Sequence, residues 1–141
     1  MTGKTINLQF DGYWREANKS GVPDQSGIYC VYACKAVTNG TKTTLEIRKL
    51  IYIGESSNVR SRVATHDRLG DWNEHLMVGE TLCYSVATIT GKDDRVRAEA
   101  ALINKMTPPA NSEYTGEFPY NETTVNCSGE TSHLLSTLTV G

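Results

Sequence analysis

Two apolar runs joined by a short polar stretch constrain the fold of this chain more than any other feature. Residues 27–37 are rich in β-branched and aromatic side chains that alternate in two rows, and residues 45–53 have a similar composition. The stretch between them contains Asn39-Gly40, a dipeptide that favours a tight turn. The pattern predicts a β-hairpin of two antiparallel strands.

The hydrophobic period changes after the second run. Val59, Val63 and His66 recur at helical spacing behind the polar side chains of residues 56–58. This spacing predicts a helix that ends at about Leu69, before Gly70. Three more elements are predicted after it: a short helix over residues 71–77, a strand over residues 81–90 and a helix over residues 96–106.

The order of these elements, β-β-α-(α)-β-α, predicts the fold class. We expect an α/β fold of the α+β type, with a small three-stranded, mostly antiparallel sheet flanked by helices. Asp93 or Asp94 is expected to cap the last helix, and Pro108-Pro109 to end it, because proline lacks a backbone N–H and disfavours helical geometry in the residue before it. A chain of 141 residues is expected to form a single domain.

The two ends of the chain carry weaker signals. Residues 6–10 alternate like a half-buried strand, before a turn signal at Asp11-Gly12. Residues 112–141 are rich in Thr, Ser and Asn, and we expect them to dock as a strand or short helix or to be partly mobile. This tail has four glutamates and no lysine or arginine. Two interpretations of its charge stay open: a solvated acidic tail, or a strip that covers a basic face of the protein.

The charge of the chain bears on its partner. The formal net charge of −2 argues weakly against nucleic acid, but residues 1–110 carry 14 Lys and Arg against 12 Asp and Glu. A modest affinity for a phosphate backbone is therefore expected. No apolar run approaches the ~20 residues that span a bilayer, and the first ten residues lack a secretory signal, so we expect a soluble, cytoplasmic protein without membrane contact. Cys30, Cys34 and Cys83 lie in apolar runs and are expected to be small core residues.

Five polar or aromatic residues are candidates for a site. Arg62 and His66 are spaced i, i+4, so on a continuous helix they share one face. Glu99 falls inside the apolar stripe of the last predicted helix, where a carboxylate costs free energy unless it meets a cation or a metal ion. An ion pair with an arginine is the alternative for Glu99, and a packing role is the alternative for Tyr29 and Tyr52. These residues alone indicate a polar cluster and no particular reaction.

Gly27-Ile28-Tyr29 and Tyr52-Ile53-Gly54 resemble, letter for letter, the two signature tripeptides of the GIY-YIG nuclease superfamily. In that family an arginine follows the tyrosine of the second tripeptide by about ten residues, as Arg62 follows Tyr52 here, and several branches have a histidine one helical turn later. A metal-binding glutamate lies on a later helix, and an asparagine follows a proline-rich stop. The residues that match these positions are Arg62, His66, Glu99 and Asn111.

The resemblance covers residues 26–111 and implies a GIY-YIG endonuclease-like fold. In a single domain of residues 1–141 it implies a nuclease core at 26–111, with an N-terminal extension at 1–25 and an acidic C-terminal extension at 112–141. Tyr29 and Tyr52 are 23 residues apart, which is wider than the compact form of the motif. This gap implies a longer hairpin or an elaborated loop.

The resemblance also implies an activity: a divalent-metal-dependent endonuclease that hydrolyses DNA phosphodiester bonds. Glu99 would be the sole direct protein ligand of Mg²⁺ or Mn²⁺, and Arg62 would hold the scissile phosphate. Tyr29 would orient or deprotonate the attacking water, with His66 as the alternative base. The remaining implied roles are support of the water and phosphate by Tyr52 and His66, and hydrogen bonds to the tyrosine cluster or the backbone by Asn111.

DNA is the implied partner, and RNA stays open because nothing in the sequence reports on the 2′-hydroxyl. Family members of this size act alone, as homodimers, or with a protein partner that provides specificity. The alternative function is a catalytically inactive GIY-YIG-fold module that binds nucleic acid or a protein partner.

Overall fold

A six-stranded mixed sheet forms the centre of the protein, in a computed structural model that describes residues 3–141. The strands lie in the order β3-β2-β4-β1-β5-β6, and all neighbours are antiparallel except β1 and β5. The strands are β1 (Lys4–Arg15), β2 (Gly27–Asn39), β3 (Lys42–Ser56), β4 (Thr81–Thr88), β5 (Thr123–Gly129) and β6 (Thr137–Val140). A 3₁₀ helix (Glu16–Gly21) and three α-helices, α1 (Val59–Ala64), α2 (Leu69–Asn73) and α3 (Lys92–Met106), complete the fold.

The prediction of a small three-stranded sheet flanked by helices is wrong. The three predicted strands are neighbours, as β3-β2-β4, but β1, β5 and β6 double the width of the sheet. β1 is an interior strand between β4 and β5. β5 and β6 come from the tail, where buried residues alternate over only a few positions, at Val125 and Cys127 and at Leu138 and Val140. This apolar signal is too short to predict a strand without its partner.

The side chains of β2 divide the core between the two faces of the sheet, because successive residues of a strand point to opposite sides. Ile28 and Cys30 belong to an apolar cluster that includes residues of α3. Tyr29 and Val31 belong to a second cluster, which includes residues of α1 and Trp72 of α2. α3 therefore packs on one face, and α1 and α2 pack on the other. β3 is the edge strand at which elements from the two faces can meet.

The predicted hairpin is confirmed. β2 and β3 pair continuously from Gly27 and Ser56 to Asn39 and Lys42, and a two-residue turn joins them. Gly40 in this turn has φ +69°, a conformation that glycine adopts at little cost. The register of the pair shifts twice because β3 carries two extra residues, and such bulges bend and twist a ribbon.

The first predicted helix is shorter than expected. Asn58 caps α1, since its side chain accepts a hydrogen bond from the backbone N–H of Ser61 at 3.0 Å. The helix ends at Ala64, several residues before the predicted end at Leu69. α2 then includes Gly70, the residue at which the first helix was expected to stop.

The last predicted helix begins earlier than expected. α3 starts at Lys92 behind Gly91, so the predicted aspartate cap is wrong. Asp93 and Asp94 instead lie in the first turn, where negative charge interacts favourably with the helix dipole. The helix ends before Pro108, as predicted. Among residues 3–141, no helix is long and apolar enough to cross a membrane.

All four cysteines are buried, and two of them form a disulfide. The sulfur atoms of Cys34 on β2 and Cys83 on β4 lie 2.10 Å apart and form a disulfide. Their separation of 49 residues carries no local signal of the pairing. Cys30 and Cys127 are free and buried.

Candidate active site

Tyr29 and Tyr52 lie close together on one face of the hairpin. Tyr29 is opposite Gly54 and Tyr52 is opposite Val31 in the register, and their ring centroids are 6.2 Å apart. The Tyr29 ring lies over Gly54, where an added Cβ atom would be 2.4 Å from the hydroxyl oxygen of Tyr29. The glycine of the second tripeptide is therefore required by the packing of the tyrosine of the first.

The glycine of the first tripeptide has a steric reason of its own. A Cβ atom at Gly27 would lie 2.4 Å from the carbonyl oxygen of Ala87, because β2 and β4 approach closely there. A backbone oxygen in a paired strand cannot move aside as a flexible side chain can. Both glycines thus hold the Tyr29 segment in place, whatever the site does chemically.

His66 is buried and contacts Tyr29, but it does not lie on α1. The helix ends at Ala64, so the predicted helical face shared with Arg62 is wrong. His66 enters the site from the loop that follows. Its Nε2 atom lies 2.8 Å from the hydroxyl oxygen of Tyr29, and its Nδ1 atom accepts a hydrogen bond of 2.9 Å from the backbone N–H of Arg68.

The backbone amide of Arg68 determines the tautomer of His66. Because Nδ1 is an acceptor, the proton of the neutral ring is on Nε2, which donates it to the Tyr29 oxygen. Burial, followed by the charge of Arg62, lowers the pKa of His66 to about 4, so the ring is neutral at pH 7. His66 therefore has no free nitrogen lone pair that could accept a proton.

Arg62 reaches the same tyrosine from the solvent side. Burial and the neighbouring Tyr52 raise the pKa of the Tyr29 hydroxyl, whereas the charge of Arg62 lowers it. The Nη2 atom of Arg62 lies 3.3 Å from a carboxylate oxygen of Asp67, in an exposed ion pair. Exposed pairs of this kind are weak, so the guanidinium group is accessible to an anion from solvent.

Glu99 projects from α3 as a half-buried carboxylate with little compensation for its charge. Burial, followed by the charges of Glu55 and Glu113, raises the pKa of Glu99 to about 8. Within residues 3–141, no ion pair involves Glu99. Arg95 on the same helix instead forms an ion pair of 2.6 Å with Glu55. The alternative of a Glu99–arginine ion pair therefore does not hold.

Glu99 is the predicted residue whose side chain could hold a divalent cation. The part of the chain that the structure describes has no group of three or more His, Cys, Asp or Glu side chains that could hold a metal ion. A site with one carboxylate ligand does not need such a group, because water and phosphate oxygens complete the shell of a hard cation. A buried carboxylate beside other carboxylates lacks positive charge, and a divalent ion would supply it.

Asn111 binds the backbone of β3 from the loop after α3. Its side-chain oxygen accepts a hydrogen bond from the N–H of Ile53, and its side-chain nitrogen donates one to the carbonyl oxygen of Ile53, both at 2.9 Å. β3 is an edge strand, so these backbone groups face away from β2. The amide of Asn111 takes the place of a neighbouring strand and satisfies both groups.

A small cavity of about 40 Å³ lies between Tyr52, α3 and the loop that follows α3. Its volume suits a water molecule or an ion and is too small for a nucleotide. Two larger depressions of about 500 Å³, at residues 112–117 and near the start of α3, contain none of the six predicted residues. The small cavity is lined by Tyr52, Arg68, Glu99, Ile103, Asn111, Ser112, Glu113 and Tyr114.

Two residues of the site were not predicted. Arg68 lines the cavity and lies 6.0 Å from the ring centroid of Tyr52, and its side chain donates a hydrogen bond of 3.0 Å to the carbonyl oxygen of Ala110. Trp72 is fully buried, and its ring centroid lies 4.2 Å from that of His66. Neither contact has a sequence signal, because each joins segments whose proximity depends on the fold.

The residues predicted from the sequence lie together at the edge of β3. The charges of Glu99 and Arg62 act on both tyrosines, and His66 is hydrogen-bonded to Tyr29. Asn111 forms hydrogen bonds with the backbone of Ile53, the residue after Tyr52. Comparisons of the chain with protein-family models, with curated proteins and with solved structures find no match.

Proposed function

We propose that the protein is a divalent-metal-dependent endonuclease that hydrolyses phosphodiester bonds in DNA, by chemistry of the GIY-YIG type. One observation carries the proposal: the charges of Arg62 and Glu99 both act on the hydroxyl of Tyr29, which His66 holds. Phosphodiester hydrolysis needs a cation for the phosphate, a ligand for a metal ion and a group that orients water. Arg62, Glu99 and Tyr29 would supply these three functions.

Glu99 is the residue that would hold Mg²⁺ or Mn²⁺. When bound, the ion would stabilise the negative charge that develops on the phosphate and on the leaving oxygen. The negative potential of Glu55 and Glu113, which raises the pKa of Glu99, also attracts a divalent cation. Glu55 is paired with Arg95, whereas Glu99 and Glu113 both line the cavity. Glu99 is the half-buried carboxylate of these two, and Glu113 is exposed.

Tyr29, rather than His66, is the group that would accept the proton of the attacking water. His66 donates from Nε2 and accepts at Nδ1, so both of its nitrogens are engaged. Tyr29 would accept the proton as a phenolate, a form that burial disfavours and the charge of Arg62 favours. The raised pKa of Tyr29 leads us to expect a cleavage rate that continues to rise above pH 8.

Arg62, whose charge acts on both tyrosines, would bind the scissile phosphate, although the arginine that lines the cavity is Arg68. A planar guanidinium can donate two parallel hydrogen bonds to a phosphate, and a lysine cannot. In the free protein Arg62 is held by Asp67, and a substrate phosphate would replace this weak partner. Arg62→Lys should therefore reduce cleavage strongly although the charge is kept.

A cleavage panel tests the proposal. Linear, supercoiled, branched and single-stranded DNA are incubated with Mg²⁺ or Mn²⁺ and the wild type, Glu99→Ala, or the control Glu117→Ala, which changes an exposed glutamate outside the cavity. We expect the wild type and the control to cut at least one substrate, and Glu99→Ala to lose at least roughly 100-fold in rate while it stays folded. Cleavage that survives Glu99→Ala contradicts the proposal. DNA binding without cleavage on any substrate favours an inactive binding module instead.

A further inference from the structure

The hairpin extends beyond the sheet as a two-stranded arm. β2 pairs with β4 only as far as Cys34 and Thr81. From Lys35 onward, β2 pairs with β3 alone, from Lys35–Glu46 to Asn39–Lys42. We call residues 35–49 the hairpin arm: residues 35–46 lie beyond the end of β4, and residues 47–49 form the base of the arm, opposite Ala33 and Cys34, which also pair with β4. Its side chains are exposed or half-buried throughout, so a solvent-facing ribbon accounts for the wide gap between the two tyrosines.

The arm concentrates positive charge in an acidic protein. It holds four of the 14 Lys and Arg residues and one of the 16 Asp and Glu residues, which leaves ten basic against fifteen acidic residues in the remainder of the chain. All four basic side chains are exposed. Lys35 and Lys42 lie beyond the end of β4, and Arg48 and Lys49 lie at the base of the arm. Arg48 forms ion pairs with Glu46 and Glu80.

The uncharged side chains of the arm are suited to hydrogen bonding. Threonine and asparagine predominate near the turn, and they are exposed. Thr38 and Thr43, which are opposite each other, are 3.0 Å apart at their hydroxyl oxygens. Such side chains can bind phosphate oxygens and base edges.

We propose that the hairpin arm enters the major groove of duplex DNA, on one side of the cleavage site. A two-stranded β-ribbon fits the B-form major groove, which is about 12 Å wide, whereas the deep and narrow major groove of A-form RNA excludes it. Arm lysines would contact phosphates and threonines would contact base edges. This inference rests on the proposed function for its substrate, and it adds to that function a preference for DNA duplexes over RNA duplexes.

The length of the hairpin sets the distance between the turn at the tip of the arm and the cleavage site at Tyr52. Val31, which is opposite Tyr52, and Asn39, which precedes the turn, are eight positions apart on β2. This spacing corresponds to about 26 Å of strand. Along a B-form duplex this span is roughly eight base pairs at about 3.4 Å per pair. Duplex on the arm side that is shorter than this should lose the contribution of the arm.

Binding measurements across a salt series test the proposal. Fluorescence anisotropy of a labelled 30-base-pair DNA duplex, with Ca²⁺ in place of Mg²⁺ to suppress cleavage, is compared for the wild type and two double variants. Lys35→Gln/Lys42→Gln changes the arm, and Lys92→Gln/Lys105→Gln makes the same change in charge at exposed positions of α3. The arm variant should bind about ten-fold more weakly, and the slope of log affinity against log salt should fall by roughly two, because each phosphate contact contributes about 0.9. The α3 variant should bind like the wild type.

A shortened arm and an RNA duplex complete the test. Replacement of residues 37–44 by Asn-Gly should weaken DNA binding at least as much as the double lysine change, and the wild type should bind a 30-base-pair RNA duplex at least ten-fold more weakly than the DNA. Equal DNA affinities and slopes for the arm and α3 variants would overturn the proposal. A wild-type dimer that dissociates when the arm is shortened, with DNA binding unchanged, would also overturn it. Binding that depends on the arm without cleavage leaves the arm proposal in place and contradicts the nuclease.

Discussion

The carboxylate of Glu99 makes stability depend on pH in a way that is opposite to an ordinary salt-bridged acid. Its pKa is raised from 4.5 to about 8 in the folded protein, so between these values the folded state keeps a proton that the unfolded chain releases. The free energy of unfolding therefore falls as the pH rises from about 5 to 8. Glu99→Gln removes this titration while it keeps the size of the side chain.

The magnitude follows from the pKa. A difference of about 3.5 pH units at ~1.4 kcal/mol per unit sets an upper limit of about 5 kcal/mol. About 2 kcal/mol is the expected value, because a folded protein relaxes around a half-buried charge and admits water to it. Without metal, the difference in free energy of unfolding between Glu99→Gln and the wild type should shift by this amount in favour of the variant as the pH rises from 5 to 9.

Urea denaturation at pH 5, 7 and 9 measures the effect for the wild type, Glu99→Gln and the exposed control Glu117→Gln. His66, whose lowered pKa acts in the opposite direction below pH 6.5, is present in all three proteins and cancels in the difference. At pH 9, Mn²⁺ at 100 times its dissociation constant should stabilise the wild type by about 2.7 kcal/mol and leave Glu99→Gln unchanged. Parallel curves of unfolding free energy against pH for the wild type and Glu99→Gln would show that burial does not raise the pKa of Glu99. Equal stabilisation of both proteins by Mn²⁺ would refute Glu99 as the ligand.

Two further predictions concern the packing of the site. Gly54→Ala places a Cβ atom 2.4 Å from the hydroxyl of the buried Tyr29 and should lower the free energy of unfolding by about 1–3 kcal/mol. The control Gly70→Ala, whose Cβ atom meets no atom within 4 Å, should be neutral or slightly stabilising. Equal effects of the two changes would show that Tyr29 does not pack on Gly54. Asn111→Ala should cost about 1–3 kcal/mol in urea denaturation because it leaves both backbone groups of Ile53 unpaired, and a loss below about 0.5 kcal/mol would contradict the two hydrogen bonds.

The hairpin and the order of its neighbours could be predicted because their signals are local. The alternation of residues 27–37 and the turn at Gly40 need no knowledge of distant partners, and the same is true of the strand β4 and of the helix α3. The full width of the sheet could not be predicted. β1 pairs with β5 from Lys4 and Thr123 to Phe10 and Gly129, and no local pattern specifies a partner so far away in the sequence.

The candidate site shows the same division at the level of single atoms. The sequence alone determined which residue types are available: two tyrosines flanked by glycines, an arginine, a histidine, a glutamate and an asparagine. Only the tertiary structure decided how they act, because hydrogen-bond roles and pKa values depend on neighbours from other elements. His66 lies outside the helix, and the amide of Arg68 makes it a donor to Tyr29. Burial on α3 raises the pKa of Glu99. The residues between Tyr29 and Tyr52 form a hairpin that extends beyond the end of β4, where its side chains are exposed or half-buried.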